Sequence, residues 1–145
     1  GKANLPPADV EKIPAKIFFL DRARFDRGEE PYLVAVERQV GAKTPERNAV
    51  WTLFKGPTPE EAAAGLTLVT SGAEGFTDLK IADGVATLKI RGGCDAQGST
   101  LTIYDHLVAT LTAFDSVEHV KLLDASGQTQ HPDGAGGSRP ECLEP

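Results

Sequence analysis

The spacing of apolar residues changes several times along the chain, and each spacing predicts an element. Short apolar runs at Lys16–Leu20 (KIFFL) and Leu33–Val40 (LVAVERQV) read as two partner strands. The charged segment between them, DRARFDRGEEP, contains Gly28 and Pro31 and is expected to be a long exposed connection. The period then becomes helical. Val50, Trp51 and Phe54 form an apolar stripe, extended by Leu53, and this phase favours the core for Trp51, the single Trp, over stacking on a sugar. Leu66–Val69 reads as a short strand leading to the Ser71–Gly72 turn. Strict alternation follows, with Leu79 and Ile81 before the dipeptide Asp83–Gly84 and Ala86, Leu88 and Ile90 after it. That dipeptide suits a two-residue type I′ turn, with Gly84 supplying the left-handed backbone. Lys80 and Lys89 occupy the opposite face, so the sheet is wet on one side and covered on the other. The segment Ser99–Phe114 returns to helical spacing, with Tyr104, Leu107, Val108, Leu111 and Phe114 on one face, and is expected to be the longest helix. Its threonines lower its intrinsic propensity, so packing must hold it. Val117–Leu123 reads as the last strand.

Helix punctuation is concentrated between Thr44 and Gly65. Thr44 is an N-cap type with Pro45 at the first helical position and Glu46 in the first turn. Gly56 ends that helix and Pro57 prevents its continuation. Thr58 repeats the device: Thr58 with Glu61 fits a capping box, Pro59 follows the cap, and the short helix stops at Gly65. The order strand, strand, helix, hairpin, helix, strand predicts a single α+β domain. Its sheet is expected to be mixed, mostly antiparallel and of about five strands, with two main helices on one face. Residues 1–14 are expected to be an extended lead-in, 15–127 the domain with its core over 45–127, and 128–145 an irregular tail.

Composition narrows the function. The chain has 145 residues, 40% of them hydrophobic, and a net charge of −6. A chain of this length buries roughly two-thirds of its unfolded surface, enough for a self-sufficient core. The acidic balance disfavours nucleic acid, whose binding rests on neutralising phosphates. It also disfavours an anionic membrane surface, and no apolar run approaches the roughly 18 residues of a membrane span. The chain begins at Gly1 and holds no Met, so it is expected to be an excised fragment whose signal peptide or lipid anchor would lie upstream; Gly1 is a candidate remnant of tag cleavage. The two cysteines, Cys94 and Cys142, lack metal-ligand spacing. They are either two unrelated thiols or one disulfide stapling the Pro- and Gly-rich tail, and the tail is an unusual place for a core thiol. The disulfide would close a loop worth about 4 kcal/mol in the chain-entropy model and would imply an oxidising, extracytoplasmic compartment.

Several blocks together resemble a GerMN domain, the module named for a sporulation and germination protein. They are WTLFKGPTPEE with Gly65, SGAEGF, IADGVATL, GGCDAQGST, the helix end TLTAF, the strand SVEHVKLLDASG and the closing PECLEP. The resemblance covers roughly residues 45–127, and the tail is similar to that of a subset of envelope lipoprotein-like relatives. It implies an extracytoplasmic, often membrane-anchored, non-enzymatic module with a fold similar to ring-building motifs. It implies no cofactor and supplies no catalytic residue. Relatives often carry an apolar-Pro turn where this chain has TSGAEG, so ring assembly is not carried over.

Candidate chemistry is sparse. Gly56, Pro57 and Gly65 lack the Lys and glycine spacing of a phosphate loop. Asp105 and His106 are adjacent on a helix and point apart. No G-x-S-x-G elbow accompanies His106, which is expected at the surface or rim. His119 is expected on the wet face of the last strand. His131 with Asp133 reads as a hydrated turn rather than a cation site. Glu29–Glu30 and Glu60–Glu61 are explained by solvation and the helix dipole rather than by glycoside hydrolysis. The first expectation is therefore a cell-envelope interaction module presenting a sheet face or edge to protein partners or to itself, with no metal and no cofactor. The second is a carbohydrate- or peptidoglycan-binding module using Phe25 and Tyr32. The third is a small secreted hydrolase.

Overall fold

A computed structural model describes residues 11–145. The lead-in expected over 1–14 lies mostly outside the described residues, and its last part is strand. The elements are β1 (Lys12–Asp21), α1 (Arg22–Arg27), β2 (Leu33–Gly41), α2 (Pro45–Lys55), α3 (Pro59–Ala63), β3 (Leu66–Thr67), β4 (Ala73–Ala82), β5 (Val85–Gly92), α4 (Ile103–Thr112) and β6 (His119–Leu123), with a final 3₁₀ turn at Glu141–Leu143. The α+β class holds. The strands divide into two three-stranded sheets, ordered β2-β1-β3 and β4-β5-β6, rather than one sheet of about five.

The reason lies at β1. It pairs antiparallel with β2 along its length, Phe18 opposite Ala35, but with β3 only at Leu20 and Asp21. Beyond that point the second edge of β1 bonds to side chains of α4, so no further strand joins it. The Phe18 N–H donates to Thr110 Oγ1 at 3.2 Å, and the Phe18 carbonyl accepts from His106 Nδ1 at 2.9 Å. The second sheet is mixed. β4 and β5 form the expected hairpin, and β5 runs parallel to β6 with α4 as the crossover between them.

At the hairpin, Asp83 and Gly84 both have positive φ, 52° and 78°, the type I′ geometry. A side chain at Gly84 would also come within 3.2 Å of the Glu118 carboxylate, so space as well as backbone favours glycine there.

Helices α2 and α4 pack on each other and each touches both sheets. The core they share is continuous and includes Ile17 and Phe19 from β1, Val50 and Leu53 from α2, Leu88 and Ile90 from β5, Leu107 and Leu111 from α4, and Leu122 from β6. The tail crosses the outer edge of β6. Ser138 exchanges backbone bonds with Val120 and Leu122, and Leu143 reaches the core. Cys94 and Cys142 are joined by a disulfide.

Three expectations need correction. The DRARFDRGEEP segment is not a plain connection. It holds α1, started by the Asp21 side chain accepting from the Arg24 N–H and ended by Gly28. Helix α4 starts only at Ile103 and is shorter than α2, because Thr102 with Asp105 forms a capping box there. Trp51 is 56% exposed rather than buried.

Candidate functional site

The residues expected to shape helix ends are placed as follows. Thr44 precedes α2 but does not cap it with its side chain. Its φ of 53° is left-handed, whereas a capping side chain needs an extended backbone. The Asn48 amide braces the entry instead, donating to the carbonyls of Gly41 and Lys43 at 3.0 and 2.9 Å. Gly56 closes α2, with its N–H on the Leu53 carbonyl, and Pro57 follows. Thr58 builds the expected capping box: its hydroxyl accepts from the Glu61 N–H at 3.1 Å and its own N–H donates to Glu61 Oε1 at 3.0 Å. Ala64 is the cap residue of α3, and Gly65, one position later, turns the chain with φ 97°. Glu61 also takes both arms of the Arg38 guanidinium, Nη1 at 2.8 Å. Those bonds hold its carboxyl below the ordinary carboxylate value.

The groups that hydrolytic chemistry would need do not converge. His106 is fully buried, not at the rim. Periodicity of the apolar residues alone hid this, because the inward face of α4 also carries His106 and Thr110. With Nδ1–H committed to the Phe18 carbonyl, Nε2 accepts the Val69 N–H at 3.1 Å, which fixes one neutral tautomer. Burial pushes its pKa down further. Asp105 is spent on the Thr102 N–H. His119 is exposed on β6, as expected, and His131 is exposed in the tail. Phe25 and Tyr32 are half-buried and pack edge to face at 5.2 Å, so they form no open platform. Among the described residues no group of three or more His, Cys, Asp or Glu could hold a metal ion.

The exposed surface of α2 is the distinctive feature. Ala49, Val50 and Leu53 face the core, which turns Trp51 onto the flank. Counting Ala49 in the apolar stripe is the signal that would have found this. Arg47, Trp51 and Lys55 then follow at i, i+4 and i+8 and form one row along the helix. Trp51 meets Phe76 of β4 edge to face at 6.0 Å, Phe76 stacks with Phe54 at 6.5 Å, and the Arg47 guanidinium lies 5.4 Å from the Phe76 ring centre. A cleft of about 390 Å³ beside the row is lined by Gln39, Asn48, Trp51 and Lys55, among others. A smaller one of about 130 Å³ adjoins Arg47, Leu79 and Ile81. Ion pairs among the described residues involve Arg27, Arg38, Arg91 and Arg139, so Lys43, Arg47 and Lys55 have no carboxylate partner among those residues. Glu46, beside Arg47 in sequence, accepts from the Ser116 hydroxyl.

The family model described as Germane, sporulation and spore germination, matches residues 16–130. Among solved structures the chain is similar to the tandem GerMN domains of the sporulation protein GerM from Bacillus subtilis, at 21% identity and a TM-score of 0.57, covering 99% of this chain and 51% of that one. It is also similar to the first GerMN domain of that protein, at 15% identity and a TM-score of 0.53, covering 90% and 95%. The chain thus spans about half of the tandem-domain chain, and at these identities the likeness speaks for the fold. No curated protein matches significantly.

Proposed function

The chain belongs to the Germane family of sporulation and spore germination, and we propose that it serves there as a non-enzymatic interaction or assembly module of a bacterial cell-envelope protein. The observation that carries this reading is the fate of the ionisable groups. His106, Asp105 and Glu61, the best candidates for acid–base work, are each committed to backbone or to a cap, and His106 is fully buried. A site of general acid–base catalysis needs such groups within reach of one substrate atom. The domain instead offers surface to a protein partner or to a second copy.

An extracytoplasmic position, secreted or anchored to the outer face of the cytoplasmic membrane, is part of the proposal. The Cys94–Cys142 bond supports it, because disulfides persist in oxidising compartments. No helix of the described residues is long and apolar enough to cross a membrane.

Two measurements test the proposal. Cross-linking of the tagged domain in envelope extract, with light scattering of the purified domain, should give a defined protein adduct or a self-associated species. A monomer that captures nothing and turns over an ester, amide or glycoside substrate would reject it. Protease added to intact protoplasts should degrade the domain while a cytosolic marker survives; protection of both would reject the location. A saccharide-binding module is the second reading, and the exposed indole of Trp51 favours it.

A further inference from the structure

We propose that the Arg47–Trp51–Lys55 row of α2 is a binding site for a glycan that carries carboxylates. The site stands whether or not a protein partner binds elsewhere on the domain. A sugar ring has an apolar C–H face and a rim of hydroxyls, and an exposed indole offers a flat apolar face. Trp51 is the large hydrophobic residue left exposed among the described residues, and it is held in place by Phe76. Groups suited to hydroxyls line the adjoining cleft. Asn48 spends both amide hydrogens on the Gly41 and Lys43 carbonyls, which fixes the side chain and leaves its Oδ1 to accept. Gln39 adds a second amide at the same cleft. The cleft volume of about 390 Å³ falls in the range of small-ligand sites, roughly 300–1,000 Å³.

Charge complementarity selects the acidic glycan over a neutral one. The chain carries a net charge of −6, yet Arg47 and Lys55 flank the indole one turn of α2 to either side, with no carboxylate within ion-pair distance among the described residues. Cations left unpaired beside an exposed aromatic favour a ligand that supplies the anion. One carboxylate-bearing unit over the indole would place its neighbours toward Lys55 on one side and Arg47 on the other.

Trp51 is the single tryptophan of the chain, so its fluorescence reports on the site directly. Titration with oligogalacturonate should change the emission intensity or wavelength saturably, and added salt should weaken the binding. Trp51→Ala, followed by calorimetry in place of fluorescence, should weaken binding about tenfold or more. The double variant R47Q/K55Q should weaken it by a similar factor while keeping the native circular dichroism spectrum, since Lys55 is exposed and glutamine keeps the aliphatic stem of Arg47 beside Phe76. Equal binding of a neutral chito-oligosaccharide would overturn the charge assignment. Equal binding of poly-glutamate, or a concentration-dependent emission change without any ligand, would overturn the glycan in favour of an acidic peptide or a second copy. No response to oligogalacturonate from the folded wild-type domain would overturn the proposal outright.

Discussion

His106 on α4 and Phe18 on β1, 88 residues apart, are joined by an Nδ1–H to carbonyl bond of 2.9 Å. The same imidazole accepts the Val69 N–H, so one side chain satisfies two backbone groups that no strand reaches. Replacing it with an apolar residue of similar size strands both. A buried backbone group without a partner costs about 1–3 kcal/mol. His106→Leu should therefore lower stability by about 2–4 kcal/mol, seen as a fall in the urea midpoint with an unchanged m-value. A loss under about 0.5 kcal/mol would mean that the bonds are not made in solution.

The same bonds set a pH dependence. Neutral His106 fits the site, whereas the protonated ring would point Nε2–H at the Val69 N–H. Burial, the main cause, lowers its pKa from the ordinary 6.5. The unfolded chain therefore takes the proton more readily than the folded one. The stabilisation is complete above the ordinary value and declines as pH falls from 6.5 toward the lowered folded value. Urea midpoints measured from about pH 7.5 down to about 5.5, where carboxylates remain ionised, should fall in the wild type. They should stay flat in His106→Leu. Equal slopes in the two proteins would assign the dependence to other groups.

Two threonines that look alike in the sequence should behave differently. Thr58 accepts the Glu61 N–H and completes a capping box, whereas Thr44 holds a left-handed backbone and caps nothing with its hydroxyl. Thr58→Ala should cost about 1 kcal/mol. Thr44→Gly should be neutral or stabilising, because glycine adopts positive φ without a Cβ penalty. Thermal midpoints of the two variants decide the matter. A matching loss in both would show that Thr44 caps after all.

Local signals in the sequence were legible because their physics is local. Asp83–Gly84 requires nothing beyond its own backbone to form the type I′ turn, and Thr58 finds Glu61 three residues away. Features that depend on distant partners were not. Helical periodicity ranks apolar positions, and His106 is buried because backbone from β1 and from Val69 satisfies it, which no pattern on α4 records. The division into two sheets has the same origin, since alternation in β1 says which face is buried but not what meets its edge. Trp51 was misplaced by a smaller error of phase: with Ala49 included, the inward stripe of α2 is Ala49, Val50 and Leu53, and the indole falls outside it.

The last prediction concerns the tail. Cys94 and Cys142 close a loop with a sequence separation of 48 residues, and the chain-entropy model values such a closure at about 4 kcal/mol. The disulfide is not the tail's sole attachment. The Ala96 N–H donates to the Cys142 carbonyl, Leu143 is fully buried, and Ser138 is bonded to β6 on both sides. Those contacts survive reduction of the bond, so the folded state should keep its shape while the unfolded chain gains freedom. The double variant C94S/C142S should then lose about 2–4 kcal/mol in urea denaturation and retain the native circular dichroism spectrum. Reduction of the wild type by dithiothreitol should give the same midpoint as the variant. If the wild type and the double variant unfold together under oxidising conditions, the two sulfurs are not paired in solution, and the principal support for an extracytoplasmic location goes with them.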